Sequence, residues 1–399
     1  MKRRRFLAAL LAAAVLCPLA ALAAGEKNVD NLPIGNLEGF ESSITWFGED
    51  FAYDITDEEA CWELLQRPIT VLDVSEKEVV YPRVSPNGEK VVNEWMGGSI
   101  NGSLAAVHVL GEDEEGWTLI EGMDYYDRII RGYVKTSLLK TVTPNNKYGI
   151  IIDKLTQRLY MFIDGKLWSS CAVSTGLPNK DQPYNETAAG EYLIGSWVGG
   201  FDSEGMYCEM GIRFNGGDLL HQVPYVEFAD GTKDFGKYGS QLGRKASHGC
   251  VRVTRTANDE GLCISWLWEN LKKNTKVVVW DDDGRTLPYP DDDLEVYYNP
   301  DGGTSYHATA TCRSVRDKYL PLTAFTYGEL DSGKYASLTG CTNCIPVKRR
   351  AEIDEINQER IALGELLKNP VYTGGGAQAD GSAASDSPEA SNGVTITIR

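Results

Sequence analysis

Between Tyr148 and Ser174 the chain passes through three short apolar or alternating runs: Tyr148 to Asp153, Leu159 to Ile163 and Leu167 to Ser174. Asp164-Gly165 separates the last two, a pair suited to the positive φ angles of a tight hairpin turn. Runs this short, bounded by turn residues, read as strands. Glu260 to Leu271 carries the one helical pattern of the region and leads into a further strand, Lys276 to Trp280. A mostly β fold is therefore expected here. The same pattern of short runs recurs upstream, from Pro68 to Leu139, in Ile69-Thr70-Val71-Leu72, Ala105 to Leu110, Gly116 to Ile120 and Gly132 to Lys135. It points to a small β-barrel or sandwich. Thr143-Pro144-Asn145-Asn146 is a short linker between the two regions.

A chain of 399 residues with 42% apolar content has room for two to three domains with separate cores. Residues 1–24 read as an export leader: Lys2 to Arg5 are basic, Phe6 to Leu22 is nearly all apolar, and Ala21-Leu22-Ala23 is a small-residue cleavage site. An uncleaved leader would act as a membrane anchor. Either way the chain is expected outside the cytoplasm, at the cell wall, extracellular or periplasmic. Residues 25–60 show no periodicity. The net charge of −18 excludes nucleic acid as the main partner, because phosphate binding needs a basic surface.

The chemistry concentrates in Ser247-His248-Gly249-Cys250-Val251-Arg252. A thiol attacks a carbonyl as its thiolate, so a nucleophilic cysteine needs a base or a positive setting. Arg244, Lys245, Arg252 and Arg255 surround the motif with no acid between them, which is expected to favour ionisation of Cys250. Gly249 leaves the approach open and can aim amide N–H groups at a developing oxyanion. Taken alone, such a cysteine reads as buried or disulfide-bonded.

The motif does not stand alone. His221 follows Arg213-Phe214-Asn215-Gly216-Gly217-Asp218-Leu219-Leu220, and Gln157-Arg158-Leu159-Tyr160, Val173-Ser174-Thr175-Gly176 and Ala189-Gly190-Glu191-Tyr192 precede it. Together these resemble the L,D-transpeptidases of the YkuD type, whose signature is a histidine, a spacer, then Ser/Thr-His-Gly-Cys, an apolar residue and Asn or Arg. The resemblance covers residues 147–281. The spacer from His221 to Ser247 is longer than usual, and the polar, glycine-rich stretch from Glu227 to Ser240 reads as a surface loop able to form part of a lid.

By that resemblance the fold is a YkuD-like β-sandwich and the substrate is the tetrapeptide stem of peptidoglycan. Cys250 would form a thioester with release of D-Ala, and a neighbouring stem amine would take it, giving a 3→3 cross-link. His221 is expected as general base. Gln222 follows it, so a backbone carbonyl is expected to fix its tautomer. His248 is expected to shape the pocket, the amides of Gly249 and Cys250 to hold the oxyanion, and Arg252 to hold the loop or bind a stem carboxylate. No cofactor is needed for the catalysis. The alternatives are an L,D-carboxypeptidase or other Cys/His peptidoglycan hydrolase, and a non-catalytic wall-binding protein. In residues 61–143, the order Val107-His108-Val109-Leu110, Gly116-Trp117-Thr118-Leu119-Ile120, Gly132-Tyr133-Val134 resembles bacterial SH3-like domains, which implies docking on the cell wall; a spacer without a ligand is the alternative.

Asp281 to Gly284 and Pro288 to Asp293 read as an acidic linker. Residues 296–347 then form a Cys/His module: His307 and Cys312, followed by Cys341 and Cys344. Two close pairs of soft ligands are how small domains hold a tetrahedral Zn²⁺. A structural zinc, disulfides and free thiols all remain open, as do disulfides among Cys61, Cys171, Cys208 and Cys263. Leu322 to Leu338 is expected to pack as a helix and turn. Residues 348–369 carry helical spacing, and the Gly/Ala/Ser-rich tail 370–399 is expected to be disordered.

Overall fold

The computed structural model describes residues 52–91, 99–112, 115–124, 129–203 and 205–368. The leader at 1–24, most of the segment 25–60 and the tail at 370–399 lie outside the described residues. No helix among those described is long and apolar enough to cross a membrane.

Strand dominates. At the centre is a nine-stranded sheet built from β1 (Tyr148–Asp153), β2 (Arg158–Ile163), β3 (Lys166–Ser174), β4 (Gly190–Leu193), β5 (Trp197–Ser203), β6 (Met206–Arg213), β7 (Leu219–Gln222), β8 (Val251–Val253) and β9 (Lys276–Trp280). Their order across the sheet is β4-β9-β1-β2-β3-β8-β7-β6-β5. Every residue of β1 is buried. Ile150 and Ile152 enter the main core with Leu159, Met161, Val173 and Val251, while Ile151 faces a second core with Phe162, Val278 and Trp280. A strand covered on both faces has no solvent side, which is why its sequence is a continuous apolar run. Asp164 and Gly165 turn the β2–β3 hairpin at φ 49° and 87°.

The second face is covered by α1 (Glu58–Gln66). Asp57 caps it, accepting the Ala60 N–H at 3.0 Å, a contact of about 1 kcal/mol in such positions. Cys61, Leu64 and Leu65 pack on Ile151, Phe162, Val278 and Trp280. A Cβ at position 149 would stand 2.7 Å from Leu65 Cδ1, so Gly149 is what lets the helix come this close. At the helix C-terminus the buried Lys276 ammonium donates to Leu64 O and Arg67 O, each at 2.8 Å, and pairs with Glu191. A cation suits the exposed carbonyls at this end of a helix. The domain boundary expected at residue 61 thus cuts through a helix that belongs to the nine-stranded sheet, because three of its side chains find their apolar partners there.

Beyond α1, His108–Glu112, Trp117–Met123 and Ile129–Lys135 form a three-stranded antiparallel sheet, and Ile69–Leu72 pairs with Leu139–Val142. Leu72, Val91, Ile100, Val107, Ile120, Ile130 and Val134 make its core. The segment around Leu104 to Ala106 lies along β4: Ala106 N–H donates to Glu191 O at 2.8 Å and Leu193 N–H to Leu104 O at 2.9 Å. This closes a sheet edge that would otherwise offer unpaired backbone groups.

The helix expected over Glu260–Leu271 is shorter, α2 (Ile264–Asn270). Gly261 at φ 97° and extended Cys263 break the pattern before it, and Asn258 Oδ1 accepts the Leu262 N–H instead. Ile264 and Leu267 enter the main core.

Residues 295–340 contain a four-stranded sheet in the order Thr323–Thr326, Glu295–Tyr298, Ser305–His307, Thr339–Gly340. The helix expected within Leu322–Leu338 is absent: that stretch is a strand followed by two single 3₁₀ turns. Thr323 and Phe325 favour extended backbone, and Gly333 at φ 52° interrupts any helix.

α3 (Arg350–Lys368) ends the described chain. Ile353 and Ile356 are buried but Ile361 is 59% exposed, so the apolar stripe covers only the first half. Charge fixes the rest. The buried Arg360 guanidinium pairs with Asp282 and donates to Lys154 O at 2.9 Å and Leu155 O at 3.0 Å. Asp281 and Asp282, expected as linker residues, are instead built into an ionic cluster. Lys154 pairs with Glu186 at 2.7 Å and Asp281 at 2.8 Å, and Lys245 with Glu186 and Asp282, both at 2.9 Å.

Candidate active site

Two parallel strands bring the distant halves of the site together. In β7 and β8, Leu220 stands opposite Val251 and His221 opposite Arg252. Side chains alternate along a strand, so Leu220, Val251 and Val253 enter the main core while Leu219, His221, Cys250 and Arg252 share the opposite face. Register alone therefore places the imidazole and the thiol on one surface.

The turn carrying Cys250 is held by the continuation of β3. Ala246 and Ser247 N–H groups donate to Thr175 O at 2.9 and 3.0 Å, and Leu177 N–H donates to Ser247 O at 2.8 Å. Thr187 Oγ1 accepts the Gly176 N–H at 2.8 Å and donates to Gly249 O at 2.6 Å, and Ser247 Oγ donates to Cys250 O. Gly249 sits at φ 118°, where a side chain is strained, and a Cβ there would stand 2.7 Å from Asp218 Oδ1. Its amide, expected as an oxyanion donor, donates to Ser247 Oγ at 3.3 Å in the resting fold.

His221 is 3% exposed and lies edge-on to Phe201, with ring centroids 5.3 Å apart. Nδ1 is 2.6 Å from Gln222 O. A carbonyl oxygen only accepts, so Nδ1 carries the proton and Nε2 keeps a free lone pair. Burial, aided by Arg252, pushes the imidazole pKa down to about 4, against the opposing pull of the Gln222 carbonyl. The ring is a neutral base at physiological pH.

Cys250 is a free, half-buried thiol packed beside Phe201, Cys208 and Leu219. Burial raises its pKa well above the ordinary thiol range and Asp218 raises it further, while the Leu219 amide and Arg252 act weakly the other way. The neighbouring cations, expected to favour ionisation of this thiol, do not offset its burial in the resting fold. Each cation is engaged elsewhere: Lys245 with Glu186 and Asp282, Arg244 with Glu352 and Glu355, Arg255 over the Phe235 ring, and Arg252 with Gln241. On this shared face the thiol and the imidazole both favour their neutral forms.

Arg252 is 5% exposed, donates to Gln241 Oε1 at 2.7 Å and lies 5.6 Å from the Tyr238 ring centroid, so it holds the segment leading into the turn. His248 is exposed. Asp218 was not singled out from the sequence; its one signal there is the Gly216-Gly217-Asp218 approach to His221. Burial lifts its carboxyl to about 7, with Asn215 and Arg213 pulling the other way. The longer spacer after His221 forms a small hairpin, Val226–Glu227 with Lys233–Asp234, and a single helical turn, Gly236–Gly239. Glu209 ties it down, accepting from Lys233 Nζ at 2.7 Å and Tyr225 OH at 2.9 Å. His307, Cys312, Cys341 and Cys344 form a separate cluster in the C-terminal module. All eight described cysteines are free thiols.

Residues 147–279 match the family model of YkuD, the L,D-transpeptidase catalytic domain. No curated protein matches the chain. Among solved structures it is similar to an L,D-transpeptidase from Stackebrandtia nassauensis, at 22% identity over 34% of this chain and 56% of that one, TM-score 0.25. It is also similar to one from Xylanimonas cellulosilytica, at 20% identity over 34% of this chain and 61% of the other, TM-score 0.25. L,D-transpeptidase 3 from Mycobacterium tuberculosis, in complex with a faropenem-derived adduct, is 15% identical over 44% of this chain and 77% of that one, TM-score 0.26. The chain thus spans less than two thirds of the length of the first two.

Proposed function

We propose that the YkuD-type L,D-transpeptidase domain at 147–279 is a working acyltransferase with Cys250 as nucleophile and a peptidoglycan tetrapeptide stem as donor substrate. The observation that carries this reading is the register of β7 and β8, which puts a neutral, buried imidazole with a free Nε2 on the same face as a free thiol. As Cys250 Sγ bonds to the carbonyl carbon of the third stem residue, His221 Nε2 takes the thiol proton. Collapse of the tetrahedral adduct breaks the C–N bond, and His221 returns the proton to the departing amine of D-Ala. A stem amine then attacks the thioester, the C–S bond breaks, and the amine's proton passes through His221 back to sulfur. A neutral pair suits this sequence, because proton transfer and C–S bond formation occur together and no charge is buried beforehand.

This reading includes export, since the substrate lies outside the cytoplasmic membrane, and a role for the β strands of residues 61–143 in holding the domain to the wall. Its test is muropeptide mass spectrometry of walls made with the intact chain or with Cys250→Ala. Loss of 3→3 dimers with the variant supports transpeptidation, and loss of only D-Ala-trimmed monomers supports the carboxypeptidase reading. A carbapenem should add its mass to Cys250 of the purified protein. No adduct together with unchanged muropeptides would leave a wall-binding protein and sink the proposal.

A further inference from the structure

We propose that His307, Cys312, Cys341 and Cys344 hold one Zn²⁺ ion as a closed structural site, independent of the chemistry at Cys250. His307 ends the strand Ser305–His307, Cys312 lies on the loop that follows, and Cys341 and Cys344 bracket a tight turn after Thr339–Gly340. Two chain segments far apart in sequence thus converge, and the four ligand atoms all lie within 4.8 Å of one another.

The spacing fits an ion rather than a bond. Zn–S distances of about 2.3 Å and a Zn–N distance of about 2.0 Å at tetrahedral angles put two sulfurs about 3.8 Å apart and a sulfur and a nitrogen about 3.5 Å apart. Cys312 Sγ and Cys341 Sγ are 3.9 Å apart, and Cys344 Sγ and His307 Nδ1 are 3.6 Å apart. A disulfide needs its sulfurs about 2.05 Å apart, so Cys312 and Cys341 are not bonded to each other.

The surroundings fit thiolates. Ala308 N–H reaches Cys344 Sγ at 3.3 Å, and Asn343 N–H reaches Cys341 Sγ at 3.4 Å. The Asn343 side-chain amide reaches Cys312 Sγ at 3.6 Å, and Ser314 Oγ lies 3.2 Å from both Cys312 and Cys341. Donors converging on sulfur orient metal-bound thiolates and offset their charge. His307, Cys312 and Cys341 are at most 5% exposed, so the site is closed to solvent on most sides, as structural zinc sites are. Three sulfurs and one imidazole in a tetrahedron select zinc over the hard, oxygen-seeking cations.

The fold gives such an ion a task. The apolar core of this module is seven residues, Val296, Tyr298, Tyr306, Phe325, Tyr327, Leu330 and Leu338, and none lies on the loops that carry Cys312 and Cys344. A core this small is where metals commonly replace apolar burial. The turn ending at Ile345 in turn accepts a 3.5 Å hydrogen bond from Arg158, on β2 of the large sheet.

The experiment uses the whole chain, produced with zinc in the medium and purified without chelator, with metal measured by mass spectrometry. About one zinc per chain is expected in the unaltered protein and in His307→Cys, which keeps four ligands. Cys341→Ser should lose most of the metal, and a strong chelator should lower the melting temperature of the unaltered protein but not of Cys341→Ser. A folded, metal-free chain overturns the proposal. So does full zinc retention in Cys341→Ser, or a disulfide among these cysteines in non-reducing peptide maps.

Discussion

Protonation of His221 should cost the fold a measurable and predictable amount. The imidazole is 3% exposed and its pKa in the folded chain is about 4, against about 6.5 unfolded. Between these values the unfolded chain binds the proton and the folded chain does not, so stability falls as pH falls through that window. Above it both states are neutral and the term vanishes; below it the full difference, about 3 kcal/mol, has been lost. Against the effect of burial, Lys154 and Lys245 hold the carboxylates of Glu186 and Asp281 below their usual range. These groups also titrate on the acid side, so the absolute curve is not diagnostic. The comparison with His221→Gln is, because the variant keeps those groups and lacks this one. Urea unfolding at pH values from about 7 to about 4 should show the unaltered protein losing about 3 kcal/mol more than the variant. The steepest part should approach about 1.4 kcal/mol per pH unit. Equal losses in both proteins would mean that the ring is not held neutral by burial, and the neutral-pair mechanism would fall with it. The acid limb of Cys250 acylation by a carbapenem should follow the same group, with its midpoint well below the ordinary histidine value.

Asp218→Asn should remove a charge that raises the Cys250 pKa, and iodoacetamide should then alkylate the thiol several-fold faster near neutral pH. An unchanged rate would show that Asp218 does not act on the sulfur. Gly249→Ala places a Cβ against Asp218 Oδ1 at φ 118°, so carbapenem acylation should slow at least about tenfold while the circular dichroism spectrum is kept. Lys154→Met leaves Glu186 and Asp281 without their shortest ion pair and should cost about 3 kcal/mol in urea unfolding; a loss below about 1 kcal/mol would mean the cluster is compensated from elsewhere.

The strands of the large sheet were legible in sequence for a local reason. The apolar runs Ile150–Ile152 and Val277–Trp280 lie inside the ladders Tyr148–Asp153 and Lys276–Trp280, and Asp164-Gly165 is a strong turn signal. Residues His221 and Cys250 were legible as types, since a thiol after glycine and a histidine upstream are chemistry written in the chain itself. Their ionisation was not. Four cations near Cys250 in sequence suggested a thiolate, yet each has a partner brought by another segment, and the acid Asp218 raises the thiol pKa more than Arg252 lowers it. Likewise α1 could not be assigned to the large sheet from its own residues, nor Asp281 and Asp282 to an ionic core, because their partners lie roughly a hundred residues away or more in several cases. Period, turn and residue type are properties of neighbours in the chain and are set locally. Burial, charge state and pairing depend on which distant segments share a space, and only the folded arrangement determines that.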